Sequence, residues 1–205
     1  VRSSAASDVY KRQLHGFVWR EELGYLLGQY DLWSRYEPEV RGVMIAYASV
    51  YGGTENAANV LACRLAEQGV QVKMFDVSVT PAPYVVSDAF KYSHLVFASA
   101  TYNMGIFVTM EDLLHDIAAH ALADRRYALI ENGTWSPASG KKMDALLSPL
   151  KGWSAVEPVL TVKSALRPDQ AAQMQRLADA IAADVKAEQT EEDASGEGKH
   201  RYVCK

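Results

Sequence analysis

Val43-Met44-Ile45-Ala46-Tyr47-Ala48-Ser49-Val50-Tyr51-Gly52-Gly53-Thr54-Glu55-Asn56 passes from an unbroken apolar run to small, polar and flexible residues. The run 43–48 is short and continuous, which predicts a strand buried on both faces. After it, Gly52 and Gly53 let the backbone turn and come close to a bound group. Thr54 to Gln68 predicts a helix, with Ala57, Leu61 and Leu65 on one face and Gly69 ending it. A strand, a glycine turn and a helix in that order make an anion socket. The helix aims its free N–H groups and positive dipole end at the turn, and Ser49 and Thr54 add hydroxyl donors. The segment lacks the Gly-Lys-Ser/Thr of a P-loop and the Gly-x-Gly-x-x-Gly of a dinucleotide turn, so a single phosphate monoester fits it best. The plainer alternative is a glycine turn in which Thr54 only caps the helix.

The same alternation continues outward. Glu21 to Tyr36 places Leu23, Leu26, Leu27, Tyr30 and Trp33 at helical spacing ahead of the first strand. Strands are predicted over Val70 to Phe75, His94 to Ala98, Tyr127 to Ile130 and Val156 to Val162. Glu111 to His120 follows the third strand as a helix, and Met174, Leu177, Ile181 and Val185 mark the last one. This predicts an α/β fold, a doubly wound five-stranded parallel sheet with helices on both faces.

In such a sheet, ligands sit beyond the carboxyl ends of the strands. Two further loops lie there: Ser99-Ala100-Thr101-Tyr102-Asn103-Met104-Gly105-Ile106-Phe107 and Glu131-Asn132-Gly133-Thr134-Trp135-Ser136. Each joins an aromatic ring, a glycine and short hydrogen-bonding side chains, which suits a flat ring system with a polar edge. Each taken alone is better read as aromatic residues covering the sheet edge; three loops meeting at one edge shift the balance to a ligand.

Together these segments carry a resemblance. Residues 49–55 look like the FMN phosphate loop of flavodoxins, and residues 99–105 with 131–135 resemble the flavodiiron proteins (A-type flavoproteins). The resemblance spans about His15 to Lys186 and departs from the family at Ala100 and Val108, where proline is common. It implies a flavodoxin-like domain over 41–186. Ser49, Tyr51, Gly52, Gly53 and Thr54 would hold the FMN phosphate. Thr101, Tyr102, Asn103 and Gly105 would border the isoalloxazine, with Gly133, Thr134 and Trp135 on its other side. It also implies electrons from rubredoxin or a rubredoxin reductase, and a head-to-tail homodimer. The full-length protein would reduce dioxygen to water or nitric oxide to nitrous oxide at a diiron centre. A free-standing flavodoxin carrier is the alternative, although the helix over Glu21 to Tyr36 precedes where a carrier would begin. A flavodoxin-like receiver would need clustered acids at the end of the first strand, where Ser49, Tyr51 and glycines stand instead.

The flanks fit the same resemblance. Residues 1–13 show no periodicity and are expected to be a non-native or disordered leader. Residues 14–40 resemble the end of a β-lactamase-like diiron domain plus a linking helix. His15 stands where that family has its last iron ligand, Phe17 replacing the usual proline. Residues 187–200 are acidic and polar, expected as a flexible linker. Residues 201–205 resemble the start of a rubredoxin domain, which would make Cys204 an iron ligand. His115 and His120, five apart on a helix, would not face one ion. A net charge of −4 gives no footprint for nucleic acid. No apolar run is long enough for a membrane span. Two cysteines far apart suggest no disulfide framework and a cytoplasmic setting.

Overall fold

The computed structural model describes residues 21–195, with side-chain surroundings through residue 190. The leader over 1–13, His15 and the segment 201–205 with Cys204 lie outside the described residues.

Helix α1 (Leu23–Ser34) leads into β1 (Val40–Ala48), followed by α2 (Gly53–Glu67), β2 (Val72–Asp76), α3 (Ala82–Lys91) and β3 (Tyr92–Tyr102). A short β4 (Gly105–Ile106) turns back on β3, and α4 (Val108–Ala119), β5 (Arg126–Asn132) and α5 (Ser139–Leu147) come next. The chain ends in β6 (Ser154–Ala155), β7 (Leu160–Val162), a 3₁₀ turn and α6 (Ala171–Ser195). The sheet order is β2-β1-β3-β5-β6, with β7 also on β5. All pairings except β3–β4 are parallel.

Alternate strand residues feed two cores, one on each face of the sheet. Met44, Ala46, Leu95, Phe97 and Leu129 pack with α3, α4 and α5 through residues such as Val85, Leu113, Ile117 and Met143. Val43, Ile45, Val96, Ala98 and Ile130 pack with α2 and α6 through Leu61, Leu65, Met174, Ile181 and Val185. The expected doubly wound fold is therefore present, with two refinements. The fifth strand position is filled by β6 and β7 rather than by one strand over 156–162. Pro158, which lacks a ladder N–H, falls between them. Helix α6 also continues through residues 187–195, where a flexible linker was expected. Its Ala, Glu and Gln residues are good helix formers. The Glu188 carboxylate pairs with Arg41 at 3.4 Å, and Gln189 Nε2 donates to the Arg41 carbonyl at 3.0 Å.

A polar network closes the sheet at the end away from the strand C-termini. His94, on β3, is buried; its Nδ1 meets Ser93 Oγ at 2.8 Å and its Nε2 meets Asp184 Oδ2 at 3.2 Å. Arg126 Nε also donates to Asp184. Burial pulls the His94 imidazole down to about 4; Asp184 opposes this, and Arg126 and Arg41 reinforce it. His94 is thus neutral in the folded protein where the unfolded chain already binds a proton. Its penalty is absent above pH ~6.5, grows as pH falls, and is complete near pH 4, on the order of 3 kcal/mol. Asp184, held below the usual carboxylate range by Arg126 and His94 against its own burial, adds stability that is lost only at lower pH. Denaturant midpoints of the protein are therefore expected to fall steadily from pH 7 to pH 4.5, and His94→Gln to flatten that slope. A flat wild-type profile over this range would contradict the assignment.

Candidate functional site

Every parallel strand of the sheet ends at one edge, and β1 sits between β2 and β3. The chain therefore winds outward in opposite directions from β1 and β3, which opens a crevice between the loops that follow them.

The loop after β1 is shaped as a donor cup. Gly52 caps α2 at φ 83, a left-handed conformation that glycine adopts without a Cβ penalty. The Gly52 N–H donates to Ser49 Oγ at 3.0 Å, leaving the Ser49 proton free to donate. The first backbone bond of the helix runs from Asn56 N–H to the Gly52 carbonyl at 2.8 Å. Ahead of it, the N–H groups of Val50, Tyr51, Gly53, Thr54 and Glu55 have no partner among the described residues. The Thr54 side chain is 1% exposed, and its hydroxyl likewise has no partner there. An unpartnered hydroxyl beside free N–H groups is a ready donor to an anion. Residues 49–56 contain no Lys or Arg, so an anion would be held by neutral donors and the helix end alone. Thr54 as a mere cap does not fit, since Gly52 is the capping residue and no side chain caps α2.

The second loop is a two-residue hairpin. Asn103 and Met104, at φ 48 and 58, turn the chain between Tyr102 and Gly105, which pair across it. Tyr102 stands half exposed, its ring edge-on to Phe107 at 5.9 Å. Thr101 serves the scaffold: its Oγ1 accepts from Ala138 N–H at 3.1 Å and Ser139 N–H at 3.3 Å. The departures from the family pattern leave the loop intact. Ala100 keeps its ladder position beside Asn132, and Val108 is the first residue of α4, the helical position where proline is also favoured.

In the third loop Trp135 is 98% exposed, as is Tyr51 in the first. Gly133 lies where a Cβ would come within 3.1 Å of Pro137 Cα and Thr101 Oγ1, so a side chain there would crowd the crossing of the second and third loops. The Glu131 carboxylate ties this region together, accepting from Gly140 N–H at 2.9 Å and Thr161 Oγ1 at 2.7 Å.

The structure adds a fourth loop that the sequence pattern does not signal, following β7. Ser164 has φ 70, and both its backbone groups bond to the Asn132 side chain. A Cβ on Gly53 would lie 1.9 Å from the Ser164 carbonyl oxygen. Gly53 is thus required by close approach and Gly52 by its backbone angle. Only the position of Ser164 just past a strand end could have hinted at its role. A cleft of about 600 Å³ beside β7 and α6 is lined by none of the predicted ring or phosphate residues. No group of His, Cys, Asp and Glu among the described residues could hold a metal. There His120 Nδ1 bonds its own helix at Asp116.

Comparison with known proteins gives the same outline. The flavodoxin family model matches residues 45–195. The nitric oxide reductase of Moorella thermoacetica is 26% identical over 149 residues, 73% of this chain and 37% of that protein. The anaerobic nitric oxide reductase flavorubredoxin of Vibrio vulnificus is 24% identical over 157 residues, covering 76% and 31%. The chain thus spans about a third of the length of the curated relatives it matches. The rubredoxin oxygen:oxidoreductase of Desulfovibrio gigas superposes with a TM-score of 0.81 at 21% identity, over 91% of this chain and 47% of that one. An archaeal flavodoxin superposes at 0.62 and 16% identity, over 71% of this chain and 99% of its own. With the family match running from the middle of β1 to the end of α6, across all four loops at the sheet edge, this chain belongs to the flavodoxin family.

Proposed function

We propose that the chain is the FMN-binding, electron-transfer domain of a flavodiiron oxidoreductase that reduces dioxygen to water, nitric oxide to nitrous oxide, or both, with electrons from rubredoxin. The observation that carries the FMN part is the donor cup after β1, with its unpaired N–H groups around the Thr54 hydroxyl, which has no partner among the described residues. One phosphate monoester satisfies that set, and the glycines leave it room. Ser49, Tyr51, Gly52, Gly53 and Thr54 would hold the phosphate. Thr101, Tyr102, Asn103 and Gly105 would border the ring on one side, and Gly133, Thr134 and Trp135 on the other. FMN supplies a ring system that accepts and releases electrons one or two at a time. The protein's part is to orient that ring and leave an edge open to partners, for which the exposed Tyr51, Tyr102 and Trp135 are suited.

The flavodiiron part rests on the named relatives, on the similarity to the Desulfovibrio enzyme and on α1, which precedes β1. In this reading the diiron centre belongs to the rest of a longer protein, with His15 as one ligand and Cys204 as a rubredoxin iron ligand. Rubredoxin or its reductase is the donor, and the head-to-tail homodimer brings each flavin to the partner's irons. A cytoplasmic site fits, and no helix among the described residues is long and apolar enough to cross a membrane. A flavodoxin-type carrier is the second reading, favoured by the match to nearly all of an archaeal flavodoxin.

Titration of flavin-stripped protein with FMN tests the proposal. Flavin fluorescence is expected to be quenched to a single equivalent, with a yellow, flavin-type absorbance on the folded protein. Unchanged fluorescence at saturating protein would end the FMN reading.

A further inference from the structure

We infer that Asn132 is a positioning residue for the phosphate cup, fixing the start of α2 without touching the ligand. The inference rests on the FMN reading. Asn132 closes β5, in register with Ala100 on β3 and Val162 on β7, so its backbone is locked from both sides. Its side chain is 8% exposed and is spent on one residue. Nδ2 donates to the Ser164 carbonyl at 3.0 Å, and Oδ1 accepts from the Ser164 N–H at 2.9 Å. That double clamp holds Ser164 at φ 70, a left-handed conformation that a non-glycine residue adopts only when its surroundings impose it. The clamped carbonyl is the surface on which the first residue of α2 rests. The Gly53 Cα comes so near it that a Cβ would overlap at 1.9 Å, and the same Cβ would lie 3.1 Å from Asn132 Nδ2.

The chain of contact therefore runs from the sheet ladder through Asn132 and Ser164 to Gly53, whose neighbours Thr54 and Glu55 present the free N–H groups. Donors of this kind work only when held in place, because a misplacement near 1 Å weakens several bonds together. Asparagine suits the position because it offers a donor and an acceptor side by side, matching the N–H and C=O of one residue. Leucine has similar bulk and neither group. Aspartate keeps the acceptor for the Ser164 N–H but turns a negatively charged oxygen toward the Ser164 carbonyl and the phosphate cup.

A positioning role for the phosphate predicts a selective defect. Flavin-stripped wild-type protein, Asn132→Leu and Asn132→Asp are titrated with FMN and with riboflavin, which has the ring and lacks the phosphate. Thermal melts check that each variant is folded. FMN affinity is expected to fall roughly tenfold or more in Asn132→Leu, and by at least as much in Asn132→Asp, which adds a negative charge, while riboflavin affinity stays within about twofold. If Asn132→Leu does not fold, Asn132→Ala, which removes both bonds without adding charge, supplies the comparison. Equal losses for both ligands would assign Asn132 to general structure and overturn the inference, as would FMN affinity unchanged in both variants. A wild-type protein that does not prefer FMN to riboflavin would overturn the phosphate cup itself, and this inference with it.

Discussion

Thr54→Val combined with Ser49→Ala lowers FMN affinity by about two to three orders of magnitude and leaves the flavin-free protein as stable as the wild type. In the proposed complex each hydroxyl donates to a doubly charged phosphate, and a hydrogen bond to a charged group contributes ~1.5–3 kcal/mol. Two of them give ~3–6 kcal/mol, and since every 1.4 kcal/mol is about tenfold in affinity, the lower half of that range gives about two to three orders of magnitude. The different effects on binding and on stability make the result diagnostic. The Thr54 hydroxyl has no partner among the described residues, so an isosteric valine removes no hydrogen bond that supports the fold. Ser49 accepts only the Gly52 N–H, which joins the other free donors of the loop when the serine is lost. Fluorescence titration and a thermal melt of the same samples read both quantities. FMN affinity within about threefold of wild type would remove the phosphate from this loop.

What the sequence discloses here follows the range of the interactions involved. The run at 43–48 and the small residues after it are read locally, and β1, the turn and α2 appear where that pattern puts them. Asn103 is a common turn residue, but Met104 at φ 58 is not, and only its pairing neighbours reveal the hairpin. The split of the last strand position at Pro158 leaves a local trace that an apolar pattern over 156–162 conceals. Helices α3 and α5, ten and nine residues long, go unassigned by periodicity because each offers fewer than three turns of pattern to read. Thr101 shows the limit most clearly. Its place beside Tyr102 suggests a ligand contact, whereas its hydroxyl is taken up by residues 138 and 139, more than thirty positions away. The clamp from Asn132 to Ser164 and the helical continuation past residue 187 depend on partners just as remote. Sequence periodicity carries no information about them.

The largest expected loss of stability comes from Arg125, at the opposite end of β5 from the proposed ligand loops. Its side chain is 1% exposed, and no carboxylate lies within ion-pair distance among the described residues. The guanidinium instead donates to carbonyls: Nε to Ala89, Nη2 to Phe90, and Nη1 to Tyr36, Ala123 and Asp124. Ala89 and Phe90 are in the last turn of α3, whose carbonyls carry the negative end of the helix dipole, so an uncompensated cation is tolerated there. Burial first, then Arg41, draws the group down to about 10, opposed by Asp124 and Glu188, and it remains charged at neutral pH. One side chain thereby satisfies the end of α3, the approach to β5 and the connection from α1 to β1. Arg125→Met keeps most of the bulk and strands all these acceptors in a site closed to water. The expected cost is about 3–5 kcal/mol, a large part of the ~5–15 kcal/mol that holds a domain together. Arg125→Lys keeps the charge but offers only a compact tip with three donors, too few to reach carbonyls spread across three segments. Denaturation midpoints should therefore rank wild type above Lys and Lys above Met, with FMN affinity unchanged in whichever variants remain folded. A methionine variant within about 1 kcal/mol of wild type would mean that water reaches these carbonyls and that the arginine only fills space.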